Sequence, residues 1–149
     1  MGSPGLDEVR RLAAADRGLA VVAIARGDGS VQASVVNAGV LVDPITSEPV
    51  VGLVAVGGSV KLRLLRRAPR LTVVFRAGWE WVAVDGPARL IGPDDLPDGI
   101  AADRVPQVLR DVFTAAGGTH DDWAEYDRVM AAERRTAVLI EPARITSNG

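Results

Sequence analysis

Apolar residues in this chain of 149 residues occur mainly as short runs between turns that are rich in glycine and proline. Runs of this length that contain many valines and isoleucines are typical of β-strands. The sequence Gly27-Asp28-Gly29-Ser30 predicts a hairpin turn after the first run. Gly86-Pro87 predicts a bulge or bend inside the fifth. We predict six strands, over residues 19–26, 31–42, 50–56, 71–76, 80–91 and 134–141, with residues 143–146 continuing the sheet.

Apolar residues at helical spacing occur in four other stretches. The first begins at Ser3-Pro4 and stops at Gly18, a residue type that commonly ends helices. The second is a short basic helix that Ser59 caps and Pro69 ends. Two further helices are predicted late in the chain, over residues 102–116 and over residues 120–133 with Thr119 as the cap.

The order of these elements predicts a mainly β protein of the α+β class. Consecutive strands with short connections favour antiparallel pairing. A sheet of this length usually closes on itself or forms a sandwich, because either arrangement removes exposed strand edges. We therefore expect a small antiparallel β-barrel with peripheral helices, formed by one domain over residues 1–149.

The composition excludes several kinds of site. A net charge of -2 argues against a general nucleic-acid binder. The chain has no cysteine and one histidine, His120, so a thiolate site and a multi-histidine metal site are excluded. A catalytic triad would need His120, but the chain has no G-x-S-x-G sequence. The acidic pairs Asp94-Asp95 and Asp121-Asp122 lack the spacing of a calcium loop, and we expect solvated or helix-capping residues there. No catalytic or metal-binding residue is assigned.

The N-terminus has neither the basic region nor the apolar region of a signal peptide. No apolar run approaches the roughly 20 residues that a membrane-spanning helix needs. We expect a cytoplasmic protein that does not bind membranes.

A glycine turn before the basic helix predicts an anion site. Gly57-Gly58 follows an apolar strand, and Ser59 starts the helix. The free amides and the dipole of a helix N-terminus attract anions. Lys61, the only lysine beside sixteen arginines, lies in the first turn, where a bound anion would offset its charge. The alternative is a solvated basic face of the helix.

Two other features fit a flat ring. The second strand contains the small and polar patch Ser34 to Gly39, which allows close approach to the backbone, although a bulge or a packed helix would explain it equally well. Trp79 and Trp81 straddle Glu80, and either one flanks a ring or packs in a core or dimer contact. An anchor for phosphate beside a surface for a flat redox ring is what a flavin-type cofactor requires.

Four marks in this order resemble the flavin and deazaflavin oxidoreductases of the pyridoxamine-phosphate-oxidase-like split-barrel family. They run from residue 19 to residue 91, and more weakly to the C-terminus. The marks are Asp28-Gly29 before a strand with a small central patch, Ser59-x-Lys61, Leu65-Arg66-Arg67-x-Pro69-Arg70, and Gly78-Trp79 before Val84-Asp85-Gly86-x-Ala88.

This resemblance implies a split β-barrel that forms a homodimer, with the cofactor in a groove between the subunits. It implies that Ser59 and Lys61 hold the cofactor phosphate with help from the amides of Gly58 and Leu62. It also implies that Trp79, from the same or the other subunit, closes the pocket. The residues that would line the ring are Ser34, Val35, Val36 and Asn37.

The branch that this chain resembles commonly uses coenzyme F420 rather than FMN, and the arginine- and alanine-rich composition is typical of actinobacteria. The implied reaction is hydride transfer from reduced deazaflavin to a small molecule with an electron-poor C=C or a quinone-like group. The alternatives are an FMN-binding oxidoreductase of the same fold, a non-catalytic cofactor-binding or haem-binding split barrel with His120 as the axial ligand, and a dimeric interaction protein without cofactor. The residues that would suit the polyglutamate tail of F420 are Arg63, Arg66, Arg67 and Arg70.

Overall fold

The computed structural model describes residues 5–149, so the predicted helix start at Ser3 and Pro4 lies outside the described residues. Seven strands occur in this range, and their bounds agree with the sequence pattern to within one residue except at the start of the sixth strand, which differs by two. They are Leu19–Ala25 (β1), Val31–Val42 (β2), Pro49–Ala55 (β3), Arg70–Ala77 (β4), Glu80–Ile91 (β5), Thr136–Ile140 (β6) and Arg144–Ser147 (β7).

Four α-helices occur in the same range. They are Leu6–Ala15 (α1), Val60–Arg67 (α2), Val105–Ala115 (α3) and Trp123–Ala132 (α4), with a 3-10 turn over Ala102–Arg104. None of these helices is long and apolar enough to cross a bilayer.

Six strands close into an antiparallel barrel. Their order is β4-β1-β2-β3-β6-β5, and β5 pairs with β4 to complete the circle. β7 adds to the barrel by pairing with β5. The prediction of a mainly β, α+β barrel with peripheral helices is therefore confirmed.

Strand β5 is shared between two parts of the barrel. It pairs with β4 as far as Pro87 and with β6 from Ala88 onward. A Cβ on Gly86 would lie 1.9 Å from the carbonyl oxygen of Glu141, so only glycine fits where the partner changes. This is the bend that the Gly86-Pro87 sequence predicts.

The barrel is split between β2 and β3. β2 pairs with β1 over Val31–Asn37 but pairs with β3 only from Ala38 onward. β3 continues past Leu53 along β6 alone. The two strands therefore diverge beyond the pair Ala38 and Leu53, which leaves a gap in the wall.

Two apolar layers hold the elements together. The barrel interior, with α1 and α2, buries side chains such as Val22, Leu53 and Phe75. The second layer packs α3 and α4 against β3 and β6 and includes Leu109 and Leu139. Because both faces of β3 are covered, five of its seven residues are buried.

The structure corrects two predicted boundaries. Helix α4 begins at Trp123 rather than at residue 120, because the carboxylate of Asp122, not Thr119, accepts the amide of Glu125 as the cap. β6 begins at Thr136 rather than at residue 134, because Arg134 has a φ of 49° and belongs to the preceding turn.

We predict that Gly39→Ala destabilises the fold. Gly39 lies where β2 meets the C-terminus of α3, and an added Cβ would be 1.9 Å from the carbonyl oxygen of Ala115. Such overpacking against backbone costs about 2–3 kcal/mol of the free energy of unfolding, which urea denaturation measures. Gly149→Ala, at a position with open space around it, is the control and should change the free energy by less than about 0.5 kcal/mol. Equal stability of both variants would contradict this close approach.

Candidate functional site

A cavity of about 470 Å³ lies at the gap between β2 and β3. Its volume is within the usual range for sites that bind small molecules and cofactors. We call it the split cavity. It is lined by Val35, Val36 and Asn37 of β2, Val54, Ala55, Val56, Ser59 and Lys61 from β3 into α2, and Val112, Phe113, Ala116, Tyr126, Met130 and Arg135 from α3 to β6.

One wall of the split cavity is an open strand edge. Within the described chain, the part of β2 from Val31 to Asn37 has β1 on one side and no strand on the other. The backbone N–H and C=O groups of such an edge are available for hydrogen bonds. The cavity therefore offers a row of backbone donors and acceptors beside the exposed side chain of Val35.

The opposite wall is the predicted glycine turn and helix N-terminus. Gly58 has a φ of 75°, and the hydroxyl of Ser59 accepts the amide of Leu62 at 3.4 Å as the N-cap of α2. The amides of Val60 and Lys61 precede the first intrahelical hydrogen bond, so the helix leaves them free. The predicted cap and turn are confirmed as local structure.

The turn is fastened to the start of β6. The amide of Gly57 donates to the carbonyl of Glu133 at 3.0 Å. A Cβ on Gly57 would lie 2.7 Å from the Cβ and carbonyl oxygen of Arg134. Glycine is therefore required at this position, and the glycine turn and the residues before β6 form one rigid wall of the cavity.

The electrostatics of the split cavity favour an anion. Lys61 and Arg135 both line it, and none of the described lining residues is acidic. The Nε of Arg135 donates to Glu133 at 2.8 Å, whereas Lys61 has no ion-pair partner in the described part of the chain. A cation without a partner beside free helix amides is a suitable place for a phosphate group.

Aromatic residues from α3 and α4 cover the remaining side. Tyr126 is buried and donates its hydroxyl proton to the carbonyl of Leu109 at 3.2 Å. Burial raises the pKa of Tyr126, and the positive charge of Arg135 opposes this only partly, so the phenol stays neutral. Its ring lies 4.9 Å from that of Phe113 between centroids. This side of the cavity is apolar and suits a flat ring.

Five of the ten predicted cofactor-binding residues line the split cavity: Val35, Val36, Asn37, Ser59 and Lys61. Three more lie next to it: the side chain of Leu62 is in the core, Gly58 is in the adjoining pocket beside Arg134, and the guanidinium of Arg63 donates to the carbonyl of Gly58.

Ser34 and Trp79 do not line the cavity. The hydroxyl of Ser34 is buried without a hydrogen-bond partner in the described residues and lies on the face of β2 opposite to Val35 and Asn37. Trp79 lies in the turn between β4 and β5 and is 94% exposed.

Sequence reasoning missed the contribution of α4 and of the residues before β6. The apolar spacing in residues 120–133 predicts a helix, but it gives no indication that Tyr126 and Met130 of this helix cover β2 and β3. Arg135 lies in the predicted sixth strand, but the sequence does not indicate that this strand pairs with β3, next to the glycine turn. Only the long-range strand order places these residues at the site.

Two other predicted features have structural partners. Asp95 accepts from Arg66 and is mostly covered, whereas Asp94 accepts from Arg134 and stays solvated as predicted, with 45% of its side chain exposed. No cluster of three or more potential metal ligands occurs among residues 5–149. His120 does not line the split cavity, and its Nδ1 accepts the amide of Asp122.

A second cavity, of about 640 Å³, lies near the other end of β2. Asp43, Glu48 and Glu141 line it, and its one arginine, Arg89, forms an ion pair with Asp43. The excess of carboxylates makes this cavity unsuitable for an anionic cofactor, although it is larger than the split cavity.

No protein-family model matches the chain. Solved structures do match it. A conserved hypothetical protein from Mycobacterium tuberculosis superposes with a TM-score of 0.69 at 18% identity, over 97% of this chain and 84% of that protein. A pyridoxamine 5'-phosphate oxidase-related, FMN-binding protein from Nostoc punctiforme superposes with a TM-score of 0.63 at 10% identity, over 99% of this chain and 86% of that protein.

A protein described as an F420 reductase superposes with a TM-score of 0.61 at 11% identity, over 97% of this chain and 98% of that protein. Heme-binding proteins also have this fold. Identities of this level establish the fold alone. The chain has the split-barrel fold of the pyridoxamine 5'-phosphate oxidase-like proteins.

Proposed function

We propose that the chain, as one cofactor-binding domain, holds coenzyme F420 in the split cavity and acts as a reductase. The observation that carries the proposal is the composition of this cavity. An open backbone edge faces an unpaired lysine at a helix N-terminus, and none of the described lining residues is acidic. A phosphorylated cofactor with a flat ring requires both the backbone edge, for the ring, and the positive helix N-terminus, for the phosphate.

The phosphate would lie at Ser59 and Lys61, with free amides of the first turn of α2 as further donors. The ring would lie along Val35, Val36 and Asn37 under the aromatic side chains of α3 and α4. Ser34 would contribute through its backbone only, since its hydroxyl is buried on the other face of β2.

The arginines of α2 favour F420 over FMN, the second candidate. Arg66 and Arg70 are paired with Asp95 and Asp85, but Arg63 and Arg67 have no carboxylate partner in the described residues. Arg63 lies beside the glycine turn, where its guanidinium donates to the carbonyl of Gly58, and would suit the polyglutamate tail of F420, which FMN lacks. Arg67 is at the other end of α2, with its guanidinium near Gly27. A haem site is disfavoured because His120, the one possible histidine ligand, does not line the cavity.

When bound, the reduced deazaflavin supplies a hydride for an acceptor with an electron-poor C=C or a quinone-like group. The residues of this chain bind and orient the cofactor and exclude water. The apolar lining from Val112, Phe113 and Met130 keeps solvent from the ring. Tyr126 stays protonated, so its hydroxyl does not add negative charge to the site.

We also propose that two copies of the chain form a homodimer through the outer face of β1 and β2. Val21 and Val35 are cross-strand neighbours on this face and are 41% and 66% exposed. Val35 lines the split cavity as well, so a partner on this face would extend the cavity wall. Adjacent exposed valines on an open sheet face are typical of interfaces.

Titration of the purified protein with F420 and with FMN, followed by fluorescence, tests the cofactor. We expect micromolar affinity for F420 and weaker affinity for FMN. Tighter binding of FMN would retain the site and change the cofactor, and binding of neither would contradict the proposal.

Lys61→Ala tests the phosphate site. Lys61 is the cavity-lining cation at the helix N-terminus and has no ion-pair partner in the described residues, so its loss should raise the Kd for F420 tenfold or more, about 1.4 kcal/mol. Arg104→Ala is the control, because Arg104 is exposed and does not line the cavity. An unchanged Kd in Lys61→Ala would refute the assigned phosphate site.

Val21→Arg tests the homodimer. A charge on the apolar face should prevent association, because the interface would bury it without a partner. Light scattering after size-exclusion chromatography should then give the 15.6 kDa of one chain, half the mass of the wild type. Val42→Arg, at an exposed valine near the other end of β2, should remain dimeric. A monomeric wild type would argue against this interface.

A further inference from the structure

The turn between α4 and β6, residues 133–135, lies directly against the glycine turn. Glu133 accepts the amide of Gly57, and Thr136, the next residue after Arg135, pairs with Ala55 at the end of β3. Arg135 is therefore held beside the segment that leads into Ser59 and Lys61. Its position depends on backbone hydrogen bonds rather than on its own side chain.

The side chain of Arg135 lies at the junction of three pockets. It lines the split cavity, the pocket beside Gly58, and an apolar pocket between α3 and α4. Its one hydrogen-bond acceptor in the described chain is the carboxylate of Glu133, bound through Nε. The two terminal nitrogens have no acceptor there, so the planar fork of the guanidinium is available.

We propose that Arg135 is a second phosphate-binding residue of the split cavity and that Glu133 is the counter-ion with which the phosphate competes. The inference rests on the proposed function for the identity of the ligand, a phosphorylated cofactor. Lys61 supplies a point charge at one wall, and Arg135 supplies a fork for two oxygens at the adjoining wall.

The pairing of Arg135 with Glu133 is weak enough to exchange. The residues are two positions apart at a turn, and their side chains are 29% and 44% exposed. Such partly solvated pairs contribute little to stability. A phosphate that carries up to two charges and also contacts Lys61 would displace the carboxylate of Glu133.

The neighbouring Arg134 has a different role. Its guanidinium forms a two-pronged ion pair with Asp94, and it does not line the split cavity. Arg134 therefore fixes the turn, whereas Arg135 is free to bind. The two arginines form a matched pair for an experiment, because removal of either changes the net charge equally.

The test is titration of Arg135→Gln, Glu133→Gln and Arg134→Gln with F420 and FMN, together with thermal shift in inorganic pyrophosphate. We expect Arg135→Gln to raise the Kd of the preferred cofactor about tenfold. Glu133→Gln should lower this Kd about threefold, because the competing carboxylate is gone. Arg134→Gln should change it less than twofold. A merely structural role for Arg135 would not make Glu133→Gln bind more tightly.

Two outcomes separate this inference from the proposed function. If Lys61→Ala weakens cofactor binding but Arg135→Gln and Glu133→Gln do not change it, the cofactor site stands and the role of Arg135 is overturned. If the wild type binds neither cofactor, the proposed function fails. The thermal shift in pyrophosphate then tests the anion-binding role of Arg135 by itself. Stabilisation by pyrophosphate that disappears in Arg135→Gln supports the anion site, and stabilisation that persists, or is absent in the wild type, overturns it.

One further variant provides a test if Arg135→Gln misfolds. Arg135→Lys keeps the charge and removes the fork, and an intermediate Kd is expected. If Arg135→Gln fails to fold, the Kd values of Arg135→Lys and Glu133→Gln test the role of Arg135. A wild-type Kd in both would overturn the inference.

Discussion

The site depends on the end of one hydrogen-bonded ladder. β2 and β3 part after Ala38 and Leu53, and the barrel stays closed only because β1 and β6 continue along the outer sides of the two strands. The backbone groups along the gap would be costly to bury without partners. A ligand with hydrogen-bonding atoms on its rim would satisfy them, so the constraint that opens the barrel also defines what can fill it.

The local structure of the proposed anion site follows from the sequence, but its surroundings do not. Gly57, Gly58 and Ser59 determine a turn and a helix cap through short-range geometry. The same holds for the hairpin at residues 27–30 and the bend at Gly86. Arg135 could not be found in this way, because its nearness to the glycine turn arises from pairing between β3 and β6, some eighty residues apart in the chain.

The fold was predictable for a related reason. Valine-rich runs and glycine turns specify strands and hairpins locally, and the short connections from β1 to β2, from β2 to β3 and from β4 to β5 limit how these strands can pair. The N-terminal boundary of α4 does not follow from the local sequence. Both Thr119 and Asp122 are residues that cap helices, and only the packing of His120 and Trp123 against Phe113 decides between them.

Helix α4 is the least firmly held part of the cavity wall. One of its residues, Tyr126, is buried, and its other attachments to α3 include the ion pair between Arg110 and Asp127, the contact of Arg110 with the ring of Trp123 and the contact of Trp123 with Phe113. Segments with few buried contacts open locally at a lower free energy than the whole fold. Local opening of this outer helix would uncover the split cavity while the barrel remains intact, so access to the cavity and global stability would be controlled separately.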